Sequence, residues 1–285
     1  MRCWWRRWTC WPAAVCACVP ITWSWTAVAW PPRCSCATTT ASRRPDMRSP
    51  ILFVTTLLLA IALPAASRAA PPPKAFTAEY EVFQNDKKLG TGRIQLRALG
   101  NGRWELMTLS EATEGLFAAA GVRREERSQL RWAGDVPETV EYRMQQKAAW
   151  SSREQHLVVD AGTRRARSTY KGQTTDLPYS AGLLDKHGVT AAIMSDLAAG
   201  KRGEFNYTVA ERRVVEPQRF RTAANVRLRT AIGTLRAIRV ERVRESGDGR
   251  VTKIWFARER GWLPLRITQY EADGESLEMR ITAIR

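Results

Sequence analysis

The chain has 285 residues, with 45 Lys and Arg against 28 Asp and Glu, a formal net charge of +17, and 44% hydrophobic residues. All six cysteines (Cys3, Cys10, Cys16, Cys18, Cys34, Cys36) and seven of the twelve tryptophans fall before residue 37. The chain beyond that point therefore excludes disulfides, and its core must hold by packing alone.

Residues 1–46 mix Trp, Cys, Arg and Pro with neither helical nor strand period. The pairs Cys16/Cys18 and Cys34/Cys36 do not have the C-x₂₋₄-C spacing of zinc sites, and the first histidine is His156. Met47-Arg48-Ser49-Pro50 is followed by the apolar run 51–63, then Pro64 and the small-residue stretch Ala65-Ala66-Ser67-Arg68-Ala69-Ala70. A charged region, an apolar run of about 12 residues and a small-residue cleavage site, in that order, predict a secretory signal peptide. The run is too short to span a bilayer, which needs about 20 residues. The expectation is therefore that Met47 is the true start, that residues 1–46 are no part of the native protein, and that 47–69 are removed after Ala69. No cysteine stands near the cut, so a lipid anchor there is not expected. Residues 70–285 are expected to form one periplasmic β domain.

From Ala70 onward the chain has 29 Arg and 8 Lys against 27 acidic residues, a net of +10. Such an excess favours anionic partners such as lipid headgroups, lipopolysaccharide or nucleic acid. Arginines alternate with Glu, as in Arg123-Arg124-Glu125-Glu126-Arg127, which is the pattern of a solvated face.

After the stiff spacer Pro71-Pro72-Pro73, Phe76, Ala78, Tyr80 and Val82 alternate with Thr77, Glu79 and Glu81, the period of a half-buried strand. Residues 85–92 (NDKKLGTG) read as a turn, 93–99 as a second strand, Gly100-Asn101-Gly102 as a hairpin turn, and 103–111 as a third strand. Residues 113–121 (TEGLFAAAG) read as a short helix or an apolar loop. Strand pairs are expected at 122–132 with 138–147, joined at Gly134-Asp135-Val136-Pro137, and at 152–160 with 164–171. Residues 172–184 read as a loop. Residues 190–199 form the one convincing helix: Val189, Ile193 and Leu197 recur every four residues, Asp185 or Thr190 can cap the start, and Gly200 can end it.

Strands resume at 203–210, 219–230 and 233–245, with Gly247-Asp248-Gly249 as a tight turn. The densest sheet signal is 250–284. There Ile254 and Phe256 alternate with Trp255 and Ala257; Leu263, Leu265 and Ile267 share a face; Leu277, Met279 and Ile281 share another. Pro264 cannot donate to a ladder, so it should mark a strand start or an edge. About ten or eleven strands and one helix predict a mainly β fold. The antiparallel meander should curl into a barrel or half-barrel, with the helix packed across it.

Chemistry is sparse. No G-x-S-x-G elbow, Walker A loop or strand-borne G-x-G-x-x-G is present. His156 and His187 are read as ordinary surface or core histidines, and no metal site or cofactor is expected. The carboxylate pairs Glu125/Glu126 and Glu79/Glu81 read as solvated strand charges, with a glycan-directed hydrolase as the lesser alternative. Nucleic-acid binding would want basic residues gathered on one groove with stacking aromatics. Here arginines scatter over most strands, so no nucleic acid is expected. Strand aromatics are core filling by default, and the alternative is a lined cavity. Its lining candidates are Phe76, Tyr80, Trp104, Ile254, Phe256 and Leu265.

The closing region, Ile254-Trp255, a charged turn and Trp262-Leu263-Pro264, resembles the C-terminal signature of a bacterial exported family, domain of unknown function 3108. The opening Phe76-x-x-x-Tyr80-Glu81-Val82, the glycines Gly90 and Gly92, and the helix entry Leu184-Asp185 are similar to its other motifs. The resemblance covers nearly all of residues 70–285 and departs at the hairpin 151–171. It implies a periplasmic, mostly antiparallel β protein with no assigned activity, similar in shape to the periplasmic lipoprotein carriers. The functional expectation is a non-enzymatic, non-membrane-spanning protein that binds or shields a lipid or another apolar or amphipathic envelope ligand. The alternative is an envelope structural or interaction protein that uses a sheet edge or its basic surface.

Overall fold

The period-2 alternation is built into one long ladder. In the computed structural model the described residues are 72–133, 136–244 and 249–285. They fall within the unit Leu63–Arg285. The expectations for residues 1–46, for a signal peptide over 47–69 and for the turn at 247–248 lie outside the described residues, as do Gly134 and Asp135.

The first half runs β1 (Phe76–Gln84), β2 (Lys87–Gly100), β3 (Arg103–Ala112), a short α1 (Gly115–Ala119), β4 (Arg123–Ala133), β5 (Val136–Ala148), β6 (Ser151–Asp160), β7 (Arg165–Tyr170) and β8 (Gln173–Leu177). The second half runs β9 (Leu184–Asp185), α2 (Val189–Ala198), β10 (Glu204–Glu211), β11 (Val214–Thr230), β12 (Gly233–Val243), β13 (Val251–Ala257), a 3-10 turn (Arg258–Arg260), β14 (Leu263–Tyr270) and β15 (Ser276–Ile284). The sheet order is β8-β7-β6-β5-β4-β3-β2-β1-β15-β14-β13-β12-β11-β10-β9. Two meanders are thus joined through the β1–β15 pair, with Ala78 opposite Ile284 and Val82 opposite Met279. Neighbours are antiparallel except for the short parallel pair β9–β10.

The fold class is the expected one, a mainly β sheet curled into an open half-barrel, with three differences in detail. The ladder has fifteen strands among the described residues rather than ten or eleven. The segment read as a loop at 172–184 contains β8 and the start of β9. β8 was hidden because Gln173-Thr174-Thr175-Asp176 offers no apolar alternation, while β7 pairs with it residue for residue. The turn read at 85–92 closes already at Asp86, so β2 is longer than expected. Its Gly90 is a packing requirement, since a Cβ there would stand 1.9 Å from the Glu111 carbonyl oxygen.

Alternate residues of the inner face pack around α2: Ala78, Tyr80 and Val82 of β1, Ile94 and Leu96 of β2, Phe256 of β13, Leu263 and Leu265 of β14, Ile281 of β15. Eight of the ten residues of α2 are buried. Its entry is the expected Val189, Ile193, Leu197 stripe, and Gly200 ends it at φ +89°. Each Leu, Ile or Met so buried stabilises the fold by about 1.5–3 kcal/mol.

The two sheet edges do not pair with each other. Instead β9 lands beside β5, where Thr139 N donates to Leu183 O at 2.9 Å. Beyond this seam β6, β7 and β8 form a margin with its own core: Tyr142, Met144, Leu157, Val159, Ala166, Leu177 and Leu183, together with Ala210 of β10. Val209 belongs to the principal core and Ala210 to the second. Successive strand residues point to opposite faces, so the end of β10 is covered on both sides.

Candidate functional site

The six residues expected to line a ligand space come together, and what they surround is α2. Tyr80, Ile254, Phe256 and Leu265 are buried members of the principal core, and Phe76 and Trp104 are half-buried against it. Tyr80 donates its phenol to Pro264 O at 2.6 Å, and burial pushes that phenol upward. Pro264 is the second residue of β14, opposite a shift in register at Phe256, which suits a residue with no N–H to give. Trp104 meets Trp132 edge to face, with ring centres 6.3 Å apart. Leu277, placed with this wall from its alternation, lies at the sheet end and is 46% exposed.

Where the chain enters α2, a buried polar cluster fixes it to the sheet. Asp185 is fully buried. Its Oδ1 accepts from Ser128 Oγ at 2.8 Å, from His187 N at 2.9 Å and from Gly188 N at 2.8 Å. Its Oδ2 accepts from Thr139 Oγ1 at 2.8 Å, and Thr139 Oγ1 accepts in turn from Asp185 N. Asp185 thus caps the turn ahead of α2 rather than the first helical amides. Gly188 is required here for space: a Cβ would stand 2.8 Å from Asp185 Oδ2 and 2.9 Å from a Leu130 methyl.

His187 lies between Ser128 Oγ, 2.8 Å from Nδ1, and Thr108 Oγ1, 2.9 Å from Nε2. Because Ser128 gives its proton to Asp185, Nδ1 must carry the hydrogen and Nε2 accepts from Thr108. Burial holds the imidazole below its ordinary 6.5, against the pull of Glu126 and Asp185. This is not a nucleophile–base arrangement. The serine proton points to the carboxylate rather than to the imidazole, and Ser128 has no exposed surface.

Next to His187, Glu126 accepts from Tyr142 Oη at 2.6 Å and from Arg124 Nε at 2.9 Å, with Lys186 Nζ 3.9 Å away. Burial alone would raise the Glu126 carboxyl, but Arg124 and Lys186 hold it well below the usual carboxylate range. Burial also lowers the Lys186 ammonium. His156 lies elsewhere, half-exposed, with Nε2 2.7 Å from Glu141 Oε1. Among the described residues, no group of three or more His, Cys, Asp or Glu is placed to hold a metal ion. No helix there is long and apolar enough to cross a membrane.

Two grooves flank the distal half of β11. One, of about 450 Å³, is lined by residues of β1, β11, β14 and β15, including Phe83, Leu228, Leu265 and Ile281 with Arg229, Arg266 and Arg280. The Arg280 guanidinium lies 4.1 Å from the Phe83 ring centre and is paired with Glu278 and Asp86. The other groove, of about 380 Å³, is lined by Asn225, Val226 and Arg227 of β11, Arg236, Ala237 and Ile238 of β12, with Arg202 and Arg258. Beside it Trp262 is held at φ +64°, unusual for a bulky residue. The guanidinium of Arg202 covers its ring at 4.9 Å.

Sequence reasoning named Asp185 as a cap and His187 as an ordinary histidine, and missed Thr108, Ser128 and Thr139. Their one signal is position: Thr108 and Ser128 fall on strand faces that are otherwise apolar at Leu106 and Leu130. The grooves were also missed, because the arginines that rim them come from six separate segments.

A family model described as Protein of unknown function (DUF3108) matches residues 79–282. No curated protein matches the chain. Among solved structures, the chain is similar to the crystal structure of a beta-barrel-like protein of domain of unknown function DUF1849 from Brucella abortus. The identity is 9%, the TM-score is 0.50, and the match covers 75% of this chain and 98% of that one.

Proposed function

We propose a function for this chain, which belongs to the DUF3108 family of proteins of unknown function: it is a non-enzymatic periplasmic protein that binds or shields an amphipathic cell-envelope ligand. The observation that carries the reading is the lining of the 450 Å³ groove, where Phe83 and Leu228 stand beside Arg229, Arg266 and Arg280, with Glu81 and the buried Leu265 and Ile281 completing it. Apolar walls with a few placed polar groups are what small-molecule sites offer. The interior of the curl is taken by α2, so the ligand is assigned to this outer groove. The commitment of Ser128, Asp185 and His187 to one another, and of Glu126 to Tyr142 and Arg124, supports a role without catalysis.

Native mass spectrometry of the purified protein, paired with organic extraction, tests the reading. A co-purifying amphiphile, and displacement of a fluorescent lipid probe that Leu228→Asp weakens, are expected. A ligand-free protein that ignores such probes would sink it.

A second reading, an envelope interaction protein, is favoured by one apolar tip. Leu116 and Phe117 of α1 and Trp150 of the β5–β6 turn are 85%, 43% and 68% exposed. The two turns are tied by Ala149 N donating to Ala120 O at 2.8 Å. Co-purification of a protein partner that survives moderate salt, and is lost in Trp150→Ser, would favour it.

A further inference from the structure

We infer that the 380 Å³ groove between β11, β12 and the 3-10 turn is a phosphate-binding site, which takes the phosphate monoester of an amphiphile or free phosphate. The inference goes beyond the amphiphile reading, which places its ligand in the other groove, and rests on it only for the apolar part of the ligand.

Four guanidinium groups, those of Arg202, Arg227, Arg236 and Arg258, line this groove, and no Asp or Glu is among its lining residues. One of the four is neutralised: Arg236 Nε donates to Glu259 Oε1 at 2.6 Å. Arg202 is held in place by donating to the carbonyls of Leu197, at 3.1 Å, and Lys201, at 2.5 Å, and by stacking on Trp262. Among the described residues its positive charge meets no carboxylate. Among the described residues Arg227 and Arg258 have no hydrogen-bond or ion-pair partner.

The gathering of four arginines is the telling feature, and Arg227 is central to it. Arg227 stands directly opposite Arg236 across the β11–β12 ladder. Like charges directly opposite in a sheet are destabilising. Arginines also stand opposite each other at Arg103/Arg131, Arg127/Arg143 and Arg266/Arg280, where glutamates bond one or both of each pair. Here Arg202 and Arg258 join the facing pair around one groove, and among the described residues Glu259 is the single carboxylate bonded to any of the four. An anion in the groove would reverse the sign of that interaction.

A guanidinium presents planar, forked donors that match phosphate oxygens. The excess of positive charge over the single partner Glu259 suits a dianion better than a carboxylate. Val226, Ala237 and Ile238 are the apolar residues of the groove's lining. The volume is that of a headgroup with a short run of methylenes, within the range of small-molecule sites.

The test is isothermal titration of the full-length protein with dihexanoyl phosphatidic acid below its micellar concentration, at low and high salt. Dihexanoyl phosphatidylcholine and inorganic phosphate are titrated in parallel. Phosphatidic acid is expected to bind at least tenfold more tightly than phosphatidylcholine. R227Q and R258Q should each weaken it roughly tenfold, added salt should weaken it further, and the distant exposed variant R103Q should bind as the parent does. Since Arg227 and Arg258 are exposed and partnerless, unchanged thermal unfolding of both variants shows that the fold is intact.

Inorganic phosphate binding as tightly as phosphatidic acid would assign the site to free phosphate. Equal binding of the two lipids, insensitive to both arginine variants, would overturn the phosphate site and leave the amphiphile reading standing. Binding of inorganic phosphate with no response to either lipid would do the reverse. No binding of any of the three would remove both.

Discussion

The cluster at residues 183–188 and the groove beside β11 are both rich in polar groups, and they use them in opposite ways. Around Asp185 every donor and acceptor is answered: four donors meet one buried carboxylate, and His187 is bonded at both ring nitrogens. In the groove, arginines are held apart from carboxylates, and two of them face each other across a ladder. A buried polar group left unpaired costs free energy, so the first cluster must be complete to exist and has nothing left for a substrate. Exposed charges are solvated and tolerate being unpaired, so the second region can hold its charge in reserve. The difference separates the part that shapes the fold from the part that offers a surface to a ligand.

Breaking the complete cluster should have the largest effect. Asp185→Ala leaves Ser128, Thr139 and two backbone N–H groups without their acceptor, at about 1–3 kcal/mol for each group that water cannot reach. A loss of about 3–5 kcal/mol in urea unfolding is expected, with faster amide exchange at Thr139 as the β5–β9 seam opens. Asp185→Asn should lose less, because Oδ1 keeps its three donors while the new amide faces Thr139. A loss below 1 kcal/mol for the alanine variant would mean that the cluster does not hold α2. Gly188→Ala should follow, at about 1–3 kcal/mol, since its methyl meets Asp185 and Leu130 inside van der Waals distance. An unchanged urea midpoint would show that Leu130 can move aside.

Much of this fold is legible in the sequence, and the limit falls in a definite place. The β1, β13, β14 and β15 alternations are legible because one face is buried by α2 and the other is wet, so hydrophobicity tracks the pleat. The five residues of β11 before Arg219 are not, because Glu216, Pro217 and Gln218 break the apolar pattern while the backbone still pairs with β10. Nor is β9, two residues whose strand character comes wholly from its neighbours. For the site the limit is sharper. Asp185 signals a helix entry locally, but Thr108, Ser128 and Thr139 lie 46 to 79 positions away from their partners in that entry. Arg227 and Arg236 look like two of many scattered arginines until the fold gathers them with Arg202 and Arg258 around one groove.

Acid should weaken the complete cluster gradually. The folded state holds His187 below its ordinary 6.5, so the unfolded chain takes up the proton first. Stability is then constant above about pH 7 and falls as pH drops below 6.5, levelling once the folded form also protonates. One histidine can change stability by at most about 1.4 kcal/mol per pH unit. Glu126, also held low, adds a further loss as pH falls below its ordinary 4.5. Denaturant midpoints at pH 7.5 and 5.5 should differ more for the parent than for His187→Gln, which keeps a donor and an acceptor for Ser128 and Thr108 without titrating. Equal slopes for the two proteins would remove His187 from the account.

The smallest expected effect is the one that separates the two regions most cleanly. If the groove arginines are there for a ligand, they should cost the empty protein a little stability. Arg227→Gln removes one of two like charges set directly opposite, a repulsion of about 0.2–1 kcal/mol. A gain of a few tenths of a kcal/mol is therefore expected at low salt, shrinking as salt rises. Arg236→Gln relieves the same repulsion but also breaks the bond to Glu259, so its gain should be smaller or absent. In the cluster around Asp185 no polar-to-neutral substitution should stabilise the protein, because there each charge is matched. A destabilising Arg227→Gln would mean that its guanidinium supports the hairpin, and the contrast between a finished cluster and a waiting groove would fail at that residue.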